Sequence, residues 1–304
     1  MRNFPYRLAF FLLPSLLASP AASATPPNFN AYYQSTARAK RATTPSTRTL
    51  VSSVDTRRGV PTFSWASSPA PVAPSSVPRS AEATARFFLQ ERAGLYRLDA
   101  QTVTRATVRH VHDTGRGGIV VTFKQRIGGV DVFRNDCKVL LNRKLELVAI
   151  GGNLHKDTQQ QPPTFAISAA NAITKAFADL YDVTLPVSDL IGERQAAGEY
   201  REFDLDPSRA TQSDKLKFIT PARAKKVLFP LPDTLVPAYY LEIDAGRTDE
   251  NHSHLYGYVI AANDGRVLFR QNLTHSEQHS YRVFADDERL LGGGGRIDEA
   301  QRLE

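Results

Sequence analysis

Val120-Val121-Thr122-Phe123-Lys124-Gln125-Arg126-Ile127-Gly128-Gly129-Val130-Asp131-Val132-Phe133-Arg134-Asn135-Asp136 is the stretch from which the fold is read. With Ile119 ahead of it, the positions Ile119, Val121, Phe123, Gln125 and Ile127 fall on one side of a strand, because successive side chains of a strand point to opposite faces. Gly128-Gly129 supplies the two positive φ angles of a tight hairpin turn, and Val130 to Phe133 returns as the next strand.

Working outward, the same alternation appears in Thr107 to Asp113. It appears again in Val139 to Leu141 and Leu145 to Ile150, joined across Asn142-Arg143-Lys144 and closed by Gly151-Gly152. Upstream, Ser80 is an N-cap with Glu82 in the first turn and Ala85, Phe88 and Leu89 at helical spacing, in a helix ending near Gly94. Downstream the plan repeats. Ser168 caps a helix whose Ile173, Ala176, Phe177 and Leu180 recur at i, i+3, i+4 and i+7. After a polar stretch around Tyr200 to Asp214, strands are expected at Lys226 to Phe229, Pro237 to Asp244, Leu255 to Ala261 and Arg266 to Gln271. Asn263-Asp264-Gly265 turns between the last two. A helix followed by antiparallel strands, twice over, predicts an α+β protein of two small modules, each a helix packed on an antiparallel sheet.

The ends read differently. Arg2 and Arg7, an apolar run from Leu8 to Ala18 and Ala22-Ser23-Ala24 make residues 1–24 a secretory signal cleaved between Ala24 and Thr25. The run is far short of the roughly 20 apolar residues a membrane span needs, so no integral span is expected and the chain is secreted or periplasmic. Residues 25–80, rich in Ser, Thr, Pro and Ala, read as an arm or linker. Within it, Val60 to Ala66, with the single Trp65, is expected to pack as a strand on the domain that follows. The net charge of +7 sits mostly before residue 81, in Arg38, Lys40, Arg41, Arg48, Arg57, Arg58 and Arg79. Nucleic-acid binding wants a basic face on a folded module, so nucleic acid is not an expected partner. The remaining chain divides into domains 81–165 and 166–286 and a glycine-rich tail, 287–304.

Motifs for catalysis are wanting. The lone Cys137 lies in a strand-like run with no His/Asn signature and reads as a semi-buried strand residue. Zinc hydrolysis uses His-Glu-x-x-His on a helix; the nearest run, His275-Ser276-Glu277-Gln278-His279, turns its glutamate about 200° away from the first histidine. The pairs His110/His112 and His252/His254 each share a strand face but lack a clear third ligand. No G-x-S-x-G elbow, phosphate loop or dinucleotide fingerprint occurs. Catalytic residues, metal and cofactor are therefore all expected to be none.

The quoted hairpin, V-x-F-x-Q then G-V-x-V-F and Asn135-Asp136, closing at Gly151-Gly152-Asn153, resembles the fungalysin/thermolysin propeptide domain. Val236-Pro237-Ala238-Tyr239-Tyr240-Leu241 and the run from Tyr256 to Leu268, turning at Gly265, resemble a PepSY-type module. Tyr281 to Asp286 resembles the segment leading into a fungalysin catalytic domain, which this sequence does not continue into. The resemblance implies that Phe123, Gln125, Gly129, Val130, Phe133, Asn135, Asp136, Gly151, Gly152, Pro237, Tyr239 and Gly265 are turn and core residues. It further implies a non-catalytic exported prosegment that binds, inhibits or helps fold a fungalysin-type zinc metalloprotease, or the N-terminal remnant of such a precursor. The alternative is a cell-envelope binding module of PepSY type unrelated to a protease.

Overall fold

A computed structural model describes residues 26–35, 40–42, 49–156, 162–208, 216–248 and 253–274. In chain order these hold β1 (Phe29–Asn30), α1 (Ala31–Gln34), β2 (Thr49–Asp55), β3 (Val60–Ala66), α2 (Ala81–Glu91) and α3 (Ala100–Arg105). There follow β4 (Thr107–His112), β5 (Ile119–Ile127), β6 (Val130–Leu141), β7 (Leu147–Gly152), α4 (Ala169–Tyr181), β8 (Leu190–Gln195) and β9 (Arg201–Leu205). The last strands are β10 (Leu216–Pro230), β11 (Leu235–Arg247), β12 (His254–Ala261) and β13 (Val267–Asn272). The expected signal segment with its Ala24/Thr25 boundary, His252, the His275 to His279 run, Tyr281 to Asp286 and the glycine-rich tail lie outside the described residues.

The deciding hairpin forms as read. Ile127 pairs with Val130 across Gly128 and Gly129, whose φ angles are +58° and +82°. Ile119, Val121, Phe123, Gln125 and Ile127 are all buried while the residues between them are half-exposed. Ser80 and Ser168 both cap, their hydroxyls accepting from the amides of Ala83 and Asn171 at 3.1 Å. Every apolar position expected on α4 is buried. The second hairpin turns later than expected: Asn142 Oδ1 accepts from the amides of Lys144 and Glu146, both at 2.9 Å, so β7 starts at Leu147. Gly151 and Gly152 are the last two residues of β7 and close it as expected. Cys137 is fully buried, and burial pushes its thiol up to about 12.

Antiparallel pairing runs β2-β3-β7-β6-β5-β4 on one side and β1-β13-β12-β11-β10-β9-β8 on the other. A single parallel bridge, Val132 to Leu228, joins them through β6 and β10 into one thirteen-stranded curled sheet among the described residues. Helix α2 covers the first part over a core of Phe88, Leu89, Tyr96, Phe123, Val139 and Ile150. Helix α4 covers the second over Ile173, Phe177, Leu241, Tyr256 and Tyr258. The described chain as far as Leu273 forms one compact unit, a strand-rich mixed α/β fold, so its division into two separate small modules is not drawn by the structure. Sheet membership also begins before Ser80. β2 and β3 lie within the Ser/Thr/Pro-rich stretch, and β3, carrying Trp65, pairs with β7.

Candidate functional site

A cleft of about 650 Å³ lies on the face of the second sheet that α4 covers, just beyond the N-terminus of that helix. Glu193 and Gln195 on β8, Arg201 and Phe203 on β9, Ala224 and Lys226 on β10 and Tyr239 on β11 line it. Those positions alternate along their strands and therefore share one face. Its further walls include Ser168 to Ala170, Val187, Lys225 and the tip of the deciding hairpin, Gly129 and Val130. Phe203, Ala224 and Tyr239 form a buried apolar floor. The rim is charged but largely self-paired, Arg201 with Glu193 and Arg126 with Glu199, the latter at 2.7 Å. Burial raises the Tyr239 hydroxyl above its ordinary range, and that hydroxyl donates to the Ile167 carbonyl at 3.0 Å. A trough with an apolar floor and a charged rim has the chemistry to accept a peptide segment or a small amphipathic ligand.

Of the residues singled out in the sequence, the cleft gathers Gly129, Val130 and Tyr239. Phe133 and Asp136 lie on the opposite face, in a second cleft of about 510 Å³ with Arg109, Lys124, Tyr200, Tyr240 and Glu242. There each carboxylate meets a cation: Asp136 meets Arg109 at 2.8 Å, Asp131 meets Lys124 at 3.4 Å and Glu242 meets Arg223 at 3.3 Å. Phe133 packs against Phe229, Tyr240 and Phe269, with ring centroids 5.3 to 6.0 Å apart.

Gln125 and Asn135 make neither cleft. Gln125 acts as a strand partner for the main chain of His155: its Nε2 donates to the His155 carbonyl at 2.7 Å and its Oε1 accepts from the His155 amide at 2.9 Å. The Asn135 amide packs beside this pair, 3.0 Å from Gln125 Oε1 and 2.6 Å from the Asn153 carbonyl. Gly152, at φ +74°, lies against β6 so closely that a Cβ there would sit 2.2 Å from the Asp136 carbonyl oxygen. Phe123 is fully buried under the guanidinium of Arg86. The Pro237 carbonyl accepts from the Ala262 amide at 2.8 Å, and Gly265 takes φ +74° in its turn.

His155 itself was not anticipated. Its ring nitrogens lie 2.7 Å from the Lys156 carbonyl and 2.8 Å from that of Leu231, so it ties the end of the first sheet to the β10–β11 turn. No alternation or helical period marks it; only the partner amide at Gln125 hints that something buried must face it. His110 and His112 share the outer face of β4, their rings 6.1 Å apart. Among the described residues no group of three or more His, Cys, Asp or Glu could hold a metal, and no helix is long and apolar enough to cross a membrane.

No protein-family model and no curated protein matches the chain. Among solved structures it is similar to the Bacillus megaterium YpeB C-terminal domain, at 14% identity over 73% of this chain and 76% of that one, with a TM-score of 0.27.

Proposed function

We propose that this chain is a non-catalytic, exported binding protein of prosegment type, and that its partner is the catalytic domain of a fungalysin-type zinc metalloprotease. The observation that carries the reading is the cleft beside α4. It places a buried floor of Phe203, Ala224 and Tyr239 within a rim whose acids Glu193 and Glu199 are already paired. Such a trough binds by burying apolar surface and orienting charge, and it leaves its own carboxylates neutralised instead of poised for proton transfer. The motif residues agree, since Gln125, Asn135 and Gly152 each serve backbone geometry.

The test is inhibition. The purified chain lacking its first 24 residues is added to an active fungalysin-type protease; dose-dependent loss of peptide hydrolysis, weakened at least about tenfold in Kd by Tyr239→Ala, supports the reading. Full activity at high micromolar chain sinks the inhibitor reading and leaves the chain a precursor remnant or an envelope module. Retention on cell-wall or membrane material in place of protease would identify the envelope module.

A further inference from the structure

At the junction of the two parts of the sheet lies a polar cavity of about 300 Å³ that the proposed partner cleft does not include. It is lined by Lys40, Arg58, Val60, Arg97, His155, Lys156, Pro232 and Asp233. Four permanent cations meet one carboxylate there, and Lys40 alone is ion-paired with it. Arg58 is only 8% exposed, and its guanidinium donates to two neutral acceptors, Asn153 Oδ1 at 2.6 Å and the Leu154 carbonyl at 2.8 Å. Arg97 adopts φ +55°, rare for a side chain with a Cβ, and donates to the Arg41 carbonyl at 2.7 Å. Tyr32, Asp55 and Asp233 act on the Arg58 guanidinium through space, Asp55 Oδ1 also accepting from the Arg58 backbone amide at 3.3 Å, and Asp99 acts on Lys156 through space.

Among the described residues the Arg58 guanidinium makes no ion pair; a buried guanidinium held by neutral acceptors alone is costly, and two further cations beside it raise that cost by mutual repulsion. Burial accordingly lowers the affinity of Arg58 for its proton, against the opposing pull of Tyr32, Asp55 and Asp233. An anion in the cavity would meet all three unpaired cations at once.

We infer that the cavity bounded by Arg58, Arg97 and Lys156 is a binding site for a phosphate-type oxyanion, either free phosphate or the phosphoryl end of a small ester. A dianion offers oxygens enough for two guanidinium forks and an ammonium, which a single carboxylate does not. The bound anion would also bridge the segment at Lys40, the start of β3, the strap at Lys156 and the turn at Asp233, fastening the two parts of the sheet together.

Calorimetric titration of the full chain at constant ionic strength tests this, with inorganic phosphate, glycerol phosphate and acetate as separate probes. Saturable phosphate binding, at least about tenfold tighter than acetate, is expected, together with a rise in melting temperature. Arg97 and Lys156 are exposed, so the double variant Arg97→Gln/Lys156→Gln should keep its circular dichroism spectrum and lose phosphate affinity by at least about tenfold. Tight binding of glycerol phosphate assigns the phosphoryl group of an ester, whereas binding of inorganic phosphate alone assigns the free ion. Phosphate no tighter than acetate, or an unchanged affinity in the double variant, overturns the site.

Discussion

Gln125 illustrates how a side chain stands in for a strand. Its amide satisfies both the N–H and the C=O of His155, a residue only 2% exposed, at 2.9 and 2.7 Å. Gln125→Leu preserves the volume but leaves two buried backbone groups without partners, and each such group costs about 1 to 3 kcal/mol. Urea unfolding should show a loss of about 2 to 4 kcal/mol; a loss below about 0.5 kcal/mol would mean that water replaces the amide. The His155 ring carries a pH signature. Its pKa lies below the ordinary 6.5, because burial and then Arg58 disfavour the charged ring more than the carbonyls of Lys156 and Leu231 favour it. Below about pH 6.5 the unfolded chain therefore takes a proton that the folded chain refuses. The contribution is whole above that pH and falls as the pH drops from 6.5 towards the folded value, by at most about 1.4 kcal/mol per pH unit. Comparing denaturation midpoints at several pH values, His155→Gln should flatten this slope, and an unchanged slope would assign it to other groups.

At the scale of the element, the strands and helices legible in the sequence are those whose burial is one-sided. β5 alternates cleanly because one face is core and the other is half-exposed, and α4 shows its period because one stripe meets the sheet. β8 and β9 are hidden by their charges: Arg194 on β8 bonds Glu202 at 3.1 Å and Asp204 at 2.6 Å on β9, so part of the polar stretch after Tyr200 pairs in a cross-strand ladder with an unread strand before it. β2 was hidden by its Ser and Thr, which suit an edge strand as well as an arm. The cleft could not be read at all, since its lining draws on four strands and its register depends on β8 and β9. Capping, by contrast, is local and legible. Ser168→Ala should destabilise by about 1 kcal/mol through the lost bond to the Asn171 amide, whereas Ser168→Gly should cost only a few tenths. Equal losses in thermal denaturation would show that the hydroxyl is not what matters.

The whole molecule poses the question of cooperativity. Two cores, one under α2 and one under α4, would unfold separately if only the Val132–Leu228 bridge joined them. They are also tied by the His155 ring on the Leu231 carbonyl, by Arg126 reaching Glu199 at 2.7 Å, and by Phe133 of β6 packing into Phe229 and Phe269 of β10 and β13. Breaking the first part from the second would expose that aromatic cluster and leave buried polar groups unpaired, which favours a single transition. Trp65, on β3 at the far end of the first part, is the only tryptophan and reports from a distance on events under α4. Phe177 is fully buried, and Phe177→Ala should cost about 3 to 5 kcal/mol in the second core. If the unit is cooperative, this substitution lowers the Trp65 fluorescence midpoint by the same amount as the far-ultraviolet circular dichroism midpoint. A Trp65 midpoint that stays at its wild-type value while the dichroism splits into two steps would instead restore two independently folding modules, and the junction contacts would then be too weak to couple them.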